Sequence, residues 1–323
     1  MFMHTLTEYR DFDPARFHAE VAGSGRPAIL RGYVRDWPAV KLARQSPEAI
    51  CAYLLGMDSG HEVDAVMTPP AERGRLFYNA DMSGFNFVRN KVPVSRVIEQ
   101  LARYSQFEAP PSVAVQSALI DDCLPAFAQQ NLAPGLPAEV RPRIWLGNTI
   151  TTPAHFDESH NLACVVGGAR RFTLFPPEQI GNLYIGPLDF APTPTPISMV
   201  NFRDPDLARH PRFAQAMQAA LVAEMAPGDA LYIPPLWWHH VQSTGPLNMM
   251  VNYWWRDDAP DAEAGGPFAA LVHCLKSLGS LAPEQRKAWA AVFHHYVFNT
   301  DSDPAAHLPD NKKGVLSNAR PPA

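Results

Sequence analysis

Residues Thr152–Phe175 read TPAHFDESHNLACVVGGARRFTLF, and the rest of the chain is understood from this stretch outward. His155 and Asp157 stand two apart at the start of an apolar run. In a strand, residues at that spacing point to one face, so imidazole and carboxylate would converge. Gly167-Gly168 interrupts the run, and two glycines between apolar segments predict a hairpin joining strands His155–Val166 and Arg170–Phe175. A carboxylate beside a buried strand is costly unless something cationic neutralises it. Two partners are open at this point: a metal ion, or Arg170 or Arg171 as an ion pair across the hairpin.

A third ligand comes from Gly228–Val241, GDALYIPPLWWHHV. Gly228-Asp229 predicts a tight turn and Leu231–Ile233 a buried strand. Pro234-Pro235 predicts a rigid bend that brings Trp237, Trp238 and a histidine to the mouth of a barrel. His239 and His240 would face opposite sides of a strand, so one of them joins the site and spacing does not decide which. Two His and one carboxylate leave the far side of a metal open, the pattern of non-haem Fe(II) oxygenases.

Upstream, Asp13-Pro14 predicts a capped short helix ending at Gly23, and Pro27–Gly32 a buried strand. Ser46-Pro47 opens a second helix ending at Gly56, and Pro93–Tyr104 is a third with Val97, Ile98 and Leu101 on one stripe. Segments 61–70 and 75–87 read as strand and turn. Short strands follow in SVAVQSAL from Ser112 and in RIWLGNTI from Arg143, with a helix near Leu124–Gln130 between them. Gly186–Arg212, rich in Pro, predicts a long surface loop able to roof the site. Strands resume in DALYIPP, HHVQS and NMMVNYWW. Beyond Pro267 two amphipathic helices follow. One carries Phe268, Leu271, Val272, Leu275 and Leu278; the other carries Trp289, Val292, Phe293, Tyr296 and Val297. From Asp301 a frayed tail is expected. The expected fold is thus mainly β with flanking helices. Its divisions are an α/β elaboration (1–110), a β core (111–258), a helical segment (259–300) and the tail (301–323).

The chain has 323 residues, net charge −5 and 46% hydrophobic residues, enough for a full core and without the basic footprint of a nucleic-acid binder. The N-terminus lacks the pattern of a secretion signal and no apolar stretch is long enough for a membrane span, so a cytoplasmic protein with neither nucleic-acid nor membrane partners is expected. Its four cysteines are scattered without CxxC pairing, as reduced core residues would be.

The motifs TPAHFD, GARRFTLFPPEQ, NLYIGPLD, GDALYIPPLWWHHV and VNYWW stand in one order over roughly Trp145–Arg256. In this the sequence resembles the cupin-like, JmjC-type 2-oxoglutarate oxygenases, near the group of the asparaginyl hydroxylase that inhibits hypoxia-inducible factor. Looser similarity reaches PAILRG and DMSGFNF. The resemblance implies a double-stranded β-helix of jelly-roll or cupin type, with Fe(II) held by His155, Asp157 and His239. It also implies a C-terminal helical pair that makes a homodimer. Arg170 matches the basic residue, ordinarily Lys, that binds the far carboxylate of 2-oxoglutarate, and Thr152 a hydroxyl on the same group. Asn161 and Asn252 match polar residues near the cosubstrate, and Trp254 an aromatic wall. The family's tyrosine from an early strand falls near Ala114, where Gln116 is expected to take over part of its role. The implied activity is hydroxylation, or demethylation through hydroxylation, of a protein side chain or a small molecule in a groove lined by Trp237, Trp238 and the 186–212 loop. A metal-binding cupin serving only as a binding module is the alternative.

Overall fold

Short apolar runs cut by proline and glycine form eleven strands in a computed structural model of the chain, which describes residues 6–257, 266–299 and 301–318. They are β1 (Thr7–Arg10), β2 (Ala28–Arg31), β3 (Glu62–Thr68), β4 (Val88–Pro93), β5 (Ser112–Leu119), β6 (Pro142–Gly147), β7 (Ile150–His155), β8 (His160–Phe175), β9 (Leu221–Met225), β10 (Ala230–Ile233) and β11 (Trp238–Trp255). Their order is β1-β2-β10-β8-β11-β6-β5-β3-β4, with β7 also on β11 and β9 also on β8. The β1–β2 pair is parallel and the other named pairs are antiparallel. This mainly β architecture with flanking helices is the expected double-stranded β-helix.

The predicted hairpin at Gly167-Gly168 does not form. β8 runs through it as one strand, paired along its length with β11 from Trp238↔Phe175 to Trp255↔His160. The two glycines instead mark a corner, where the register slips between Thr244 and Met249 because β11 carries extra residues around Gly245. Each long strand thereby serves two groups of partners: β8 pairs β10 before the corner and β9 after it. Gly168 sits at φ +73°, and a Cβ there would collide with the Asn248 side chain and lie 2.6 Å from the Leu247 carbonyl. Gly168→Ala is therefore expected to cost on the order of 2–4 kcal/mol through left-handed strain and overpacking, read as a lowered denaturation midpoint. A midpoint unchanged from the parent would show that the corner tolerates a side chain.

Helices α1 (Pro38–Gln45), α2 (Pro47–Leu55) and α3 (Val94–Tyr104) lie against one side of the sheet. In α2 the Ser46 hydroxyl caps the Ala49 amide, as its sequence predicts. In α3 Val94, Val97, Ile98 and Leu101 form the buried stripe. The helix expected over residues 14–23 is instead a chain of short 3₁₀ and π turns, with Asp13 capping the Ala15 amide and Phe17 and Val21 buried. Asp229, buried in the turn before β10, accepts from the Gly32 and Ala226 amides and pairs with Arg31 at 2.7 Å, so its charge is satisfied and the turn is tied to β2.

The chain folds as two compact units, residues 1–256 and 257–323. The second contains the two expected helices, Gly266–Leu278 and Pro283–Phe293, the latter running on into a π turn at His294–Phe298. Its tail is not frayed throughout: Pro304 and Ala305 are buried and 3₁₀ turns form at Asp310–Lys312 and Gly314–Asn318. Residues 258–265 and 319–323, part of the expected linker and tail, lie outside the described residues. Among the described residues no helix is long and apolar enough to cross a membrane. The four cysteines are free thiols, and burial pushes Cys123 up to about 12.

Candidate metal centre

The centre is assembled by two irregularities rather than by strand alternation. β7 ends at His155, and Asp157 lies just beyond it in the turn to β8. A bulge sits between the pairs His155↔His239 and Thr152↔Val241, so three steps on β7 match two on β11. Strict alternation would put Thr152 and His155 on opposite faces; the bulge brings both into one cavity. The expectation that His155 and Asp157 converge is met, but by a turn.

His155, Asp157 and His239 each offer an atom within 4.8 Å of the others. His155 Nδ1–H donates to the Pro153 carbonyl at 2.9 Å and His239 Nδ1–H to the Trp237 carbonyl at 3.0 Å. Both rings are thus held as the tautomer that turns an unprotonated Nε2 inward, as a metal requires. Burial and the neighbouring His239 hold the His155 pKa well below the ordinary imidazole value, which keeps the ring neutral. The Asp157 carboxylate is aimed by two donors on Oδ2, Asn161 Nδ2 at 3.0 Å and Trp254 Nε1 at 3.1 Å, while His239 Nε2 lies 3.6 Å from the same oxygen. Asn252 Nδ2 in turn donates to Asn161 Oδ1 at 2.6 Å. Asn161, Asn252 and Trp254, expected beside the cosubstrate, line the cavity and also form the chain of hydrogen bonds that orients Asp157.

The alternative ion pair for Asp157 is not present. Arg171 faces outward and pairs with Glu224 at 3.3 Å, and Arg170 makes no ion pair among the described residues. Arg170 is buried at the cavity wall with Nε unpartnered, and burial alone lowers its pKa to about 10, so it remains a cation at neutral pH. Of the two histidines, His239 joins the triad. His240 points through the opposite side of β11, where it is buried and stacks on Phe202 with ring centroids 4.3 Å apart.

The cavity holds about 710 Å³ and contains Thr152, His155, Asp157, Asn161, Arg170, His239, Asn252 and Trp254 together. Gln116 also lines it, carried inward by a bulge in β5 opposite Trp145. Ala114 does not supply a polar group; it packs with Val66, Leu76 and Ile150 in a small apolar cluster. Trp237 and Trp238, expected at the mouth, are core residues that do not line the cavity. The 186–212 segment roofs it only through Pro192–Thr195, and its Thr195–Ser198 stretch is buried rather than on the surface, anchored by the Ser198 amide on the Ala154 carbonyl at 2.8 Å. Trp145, which sequence reasoning missed, lines the cavity with its Nε1 buried and unpartnered, edge-on to Trp254. Alternation along RIWLG was the available signal, since Ile144 and Leu146 face the core and Trp145 the other side.

The residues fit a metal ion and an anionic co-ligand. Three metal-ligating atoms converge, and in the same cavity the donors Arg170 Nε and Trp145 Nε1 are buried without partners.

A cupin-like domain model matches residues 14–261. The chain is 28% identical over 250 residues to Jumonji C domain-containing protein 5 of Drosophila melanogaster, covering 74% of this chain and 57% of that protein. It is 25% identical over 237 residues to lysine-specific demethylase 8 of Xenopus tropicalis, covering 71% and 48%. A shorter match, 35% over 113 residues, covers 34% of this chain and 22% of the human HSPB1-associated protein 1. The chain spans about half the length of the curated relatives it matches along most of its own length. With the domain match running across ten of the eleven strands, β2 to β11, and the His-x-Asp…His centre inside it, the chain belongs to the cupin-like family of JmjC type.

Proposed function

We propose that the chain is an Fe(II)- and 2-oxoglutarate-dependent dioxygenase that hydroxylates a C–H bond of a protein side chain or small molecule, or demethylates by hydroxylating an N-methyl group. One observation carries this reading: the His155–Asp157–His239 triad and an unpaired, buried Arg170 share one cavity. JmjC cupins generally use Fe(II) and 2-oxoglutarate. The triad would hold the iron, which with the cosubstrate and O2 supplies the oxidising chemistry. The chain's own residues supply the geometry. Arg170 and Thr152 would grip the remote carboxylate, a guanidinium doing so in a bidentate manner where a lysine offers a point charge. Phe172, Val241 and Met250 give that end an apolar wall that keeps water out. Glu139, Arg141, Arg143, Glu158 and Arg256 ring the open side, which favours a polar or charged substrate. The demethylase names of two relatives favour a protein one.

Fe(II) and 2-oxoglutarate added together without oxygen should give a weak visible metal-to-ligand band, and admission of air should release succinate. Bound iron with neither signal would leave the metal-binding cupin without oxygenase activity as the surviving reading.

A homodimer through the C-terminal helices is part of the proposal. Leu271, Leu275, Trp289 and Val292 are exposed large apolar residues on that pair, a surface costly to leave in water. Trp289→Asp should convert the protein to monomers in sedimentation, and an unchanged mass would remove the dimer.

A further inference from the structure

Behind the metal centre lies a second pocket of about 300 Å³. The same two strands build both. His239 and Val241 of β11 and Thr152 of β7 face the metal cavity, while His240 and Gln242 of β11 and Thr151 of β7 face the second pocket. Arg75, Glu72 and Phe202 are also in its wall.

Two side chains in it are unusual. Arg75 holds its guanidinium 3.6 Å above the Phe77 ring, and its Nη2 is buried with no hydrogen-bond partner. Among the described residues no carboxylate lies within ion-pair distance of it: Glu72, the acid nearest in sequence, accepts from Asn86 Nδ2 at 2.7 Å. His240, 4% exposed, has its Nδ1 buried and unpartnered while its ring stacks flat on Phe202, at 10° between planes. A half-buried cation whose Nη2 has no hydrogen-bond partner, with Glu72 acting on it only beyond ion-pair distance, and a buried imidazole nitrogen without a partner are each costly. Both side chains line the one pocket, and a guanidinium edge and, with the ring proton on Nδ1, an imidazole N–H are each donors suited to the oxygens of a planar or tetrahedral oxyanion. Among the other lining side chains Arg73 and Arg203 are matched by Glu72 and Asp204, so the charge of Arg75 leaves the pocket net positive.

We propose that this pocket is a second binding site for a small oxyanion, a phosphate or a carboxylate, held by Arg75 and His240 and separated from the metal cavity by the thickness of one strand. It takes a different ligand set from the metal centre and stands whether or not that centre is an oxygenase.

The test uses the full chain, free of metal, at constant ionic strength. Inorganic phosphate and acetate are titrated separately by calorimetry into the parent and into Arg75→Gln, His240→Phe, Arg75→Lys and Arg170→Gln, with melting curves to confirm folding. One-to-one saturable binding of at least one anion is expected. It should weaken roughly tenfold or more in Arg75→Gln and in His240→Phe, the worth of a charge-assisted hydrogen bond, and recover in part in Arg75→Lys. In Arg170→Gln it should be unchanged. Phosphate binding without acetate would assign a phosphorylated ligand, and the converse a carboxylate. No saturable binding of either anion would overturn the proposal. So would binding that is lost in Arg170→Gln and kept in Arg75→Gln, since the anion would then sit in the metal cavity.

Discussion

His155→Ala is expected to lose metal and activity together. The ring supplies one of three ligand atoms and is already in the binding tautomer, so its removal leaves Asp157 and His239 as a two-point site. Partners that merely orient ligands are worth roughly 10–100-fold in metal affinity, so loss of a ligand should cost on the order of 100-fold or more. Because a metal that binds only the folded state stabilises it by mass action, the parent's melting temperature should rise on adding Fe(II) anaerobically and that of His155→Ala should not. Trp254→Phe offers a graded comparison. It keeps the aromatic wall and removes one of the two donors on Asp157 Oδ2, so a loss within the 10–100-fold range is expected. An equal thermal shift in the parent and in His155→Ala would place the metal elsewhere.

Arg170 is expected to move binding and stability in opposite directions. A charge-assisted contact is worth about 1.5–3 kcal/mol, so Arg170→Met should raise the KM for 2-oxoglutarate roughly 10- to 150-fold. The same change should leave the ligand-free protein as stable as the parent or more so. The reason is the sign of the linkage: burial pulls the guanidinium's folded pKa below its ordinary value, so the folded state pays to keep the charge at every pH where it is protonated. Arg170→Lys should retain part of the affinity, because the ammonium keeps the charge and loses the fork. An unchanged KM in Arg170→Met would show that the cosubstrate does not reach this wall. A large drop in apo stability would show a structural role instead.

Much of this site was legible in the sequence because it depends on local pattern. His155, Asp157 and the His239-His240 pair stood out against apolar strands, and the stripe of α3 and the Ser46 cap follow from spacing and side-chain chemistry alone. The missed pieces depend on pairing. α1 was overlooked although Pro38 stands at its first position, because its helix signal is short and charged. Gly167-Gly168 carried the composition of a hairpin, yet pairing with β11 on both sides of it made it a corner, since a ladder that resumes after a bulge satisfies more backbone groups than a turn. Trp237 and Trp238 read as mouth residues from their nearness to His239. They went into the core, Trp237 with the sheet's apolar cluster and Trp238 against Phe156 at 4.9 Å.

The sequence by itself determined which chemistry was available: ligand types, their order along the chain, and a basic residue fifteen positions past the first histidine. These rest on covalent spacing and strand period, which need no partner strand. Only the tertiary structure decided how the groups are used. Register on β11 sent His239 to the metal side and His240 to the other. A bulge in β7 put Thr152 beside His155, and the adjoining β8 and the distant β11 supplied Asn161 and Trp254 to aim Asp157 while leaving Arg170 and Arg75 without a carboxylate at ion-pair distance. Whether a buried charge is paired is a property of every element packed around it, so it is settled when the sheet closes and not before.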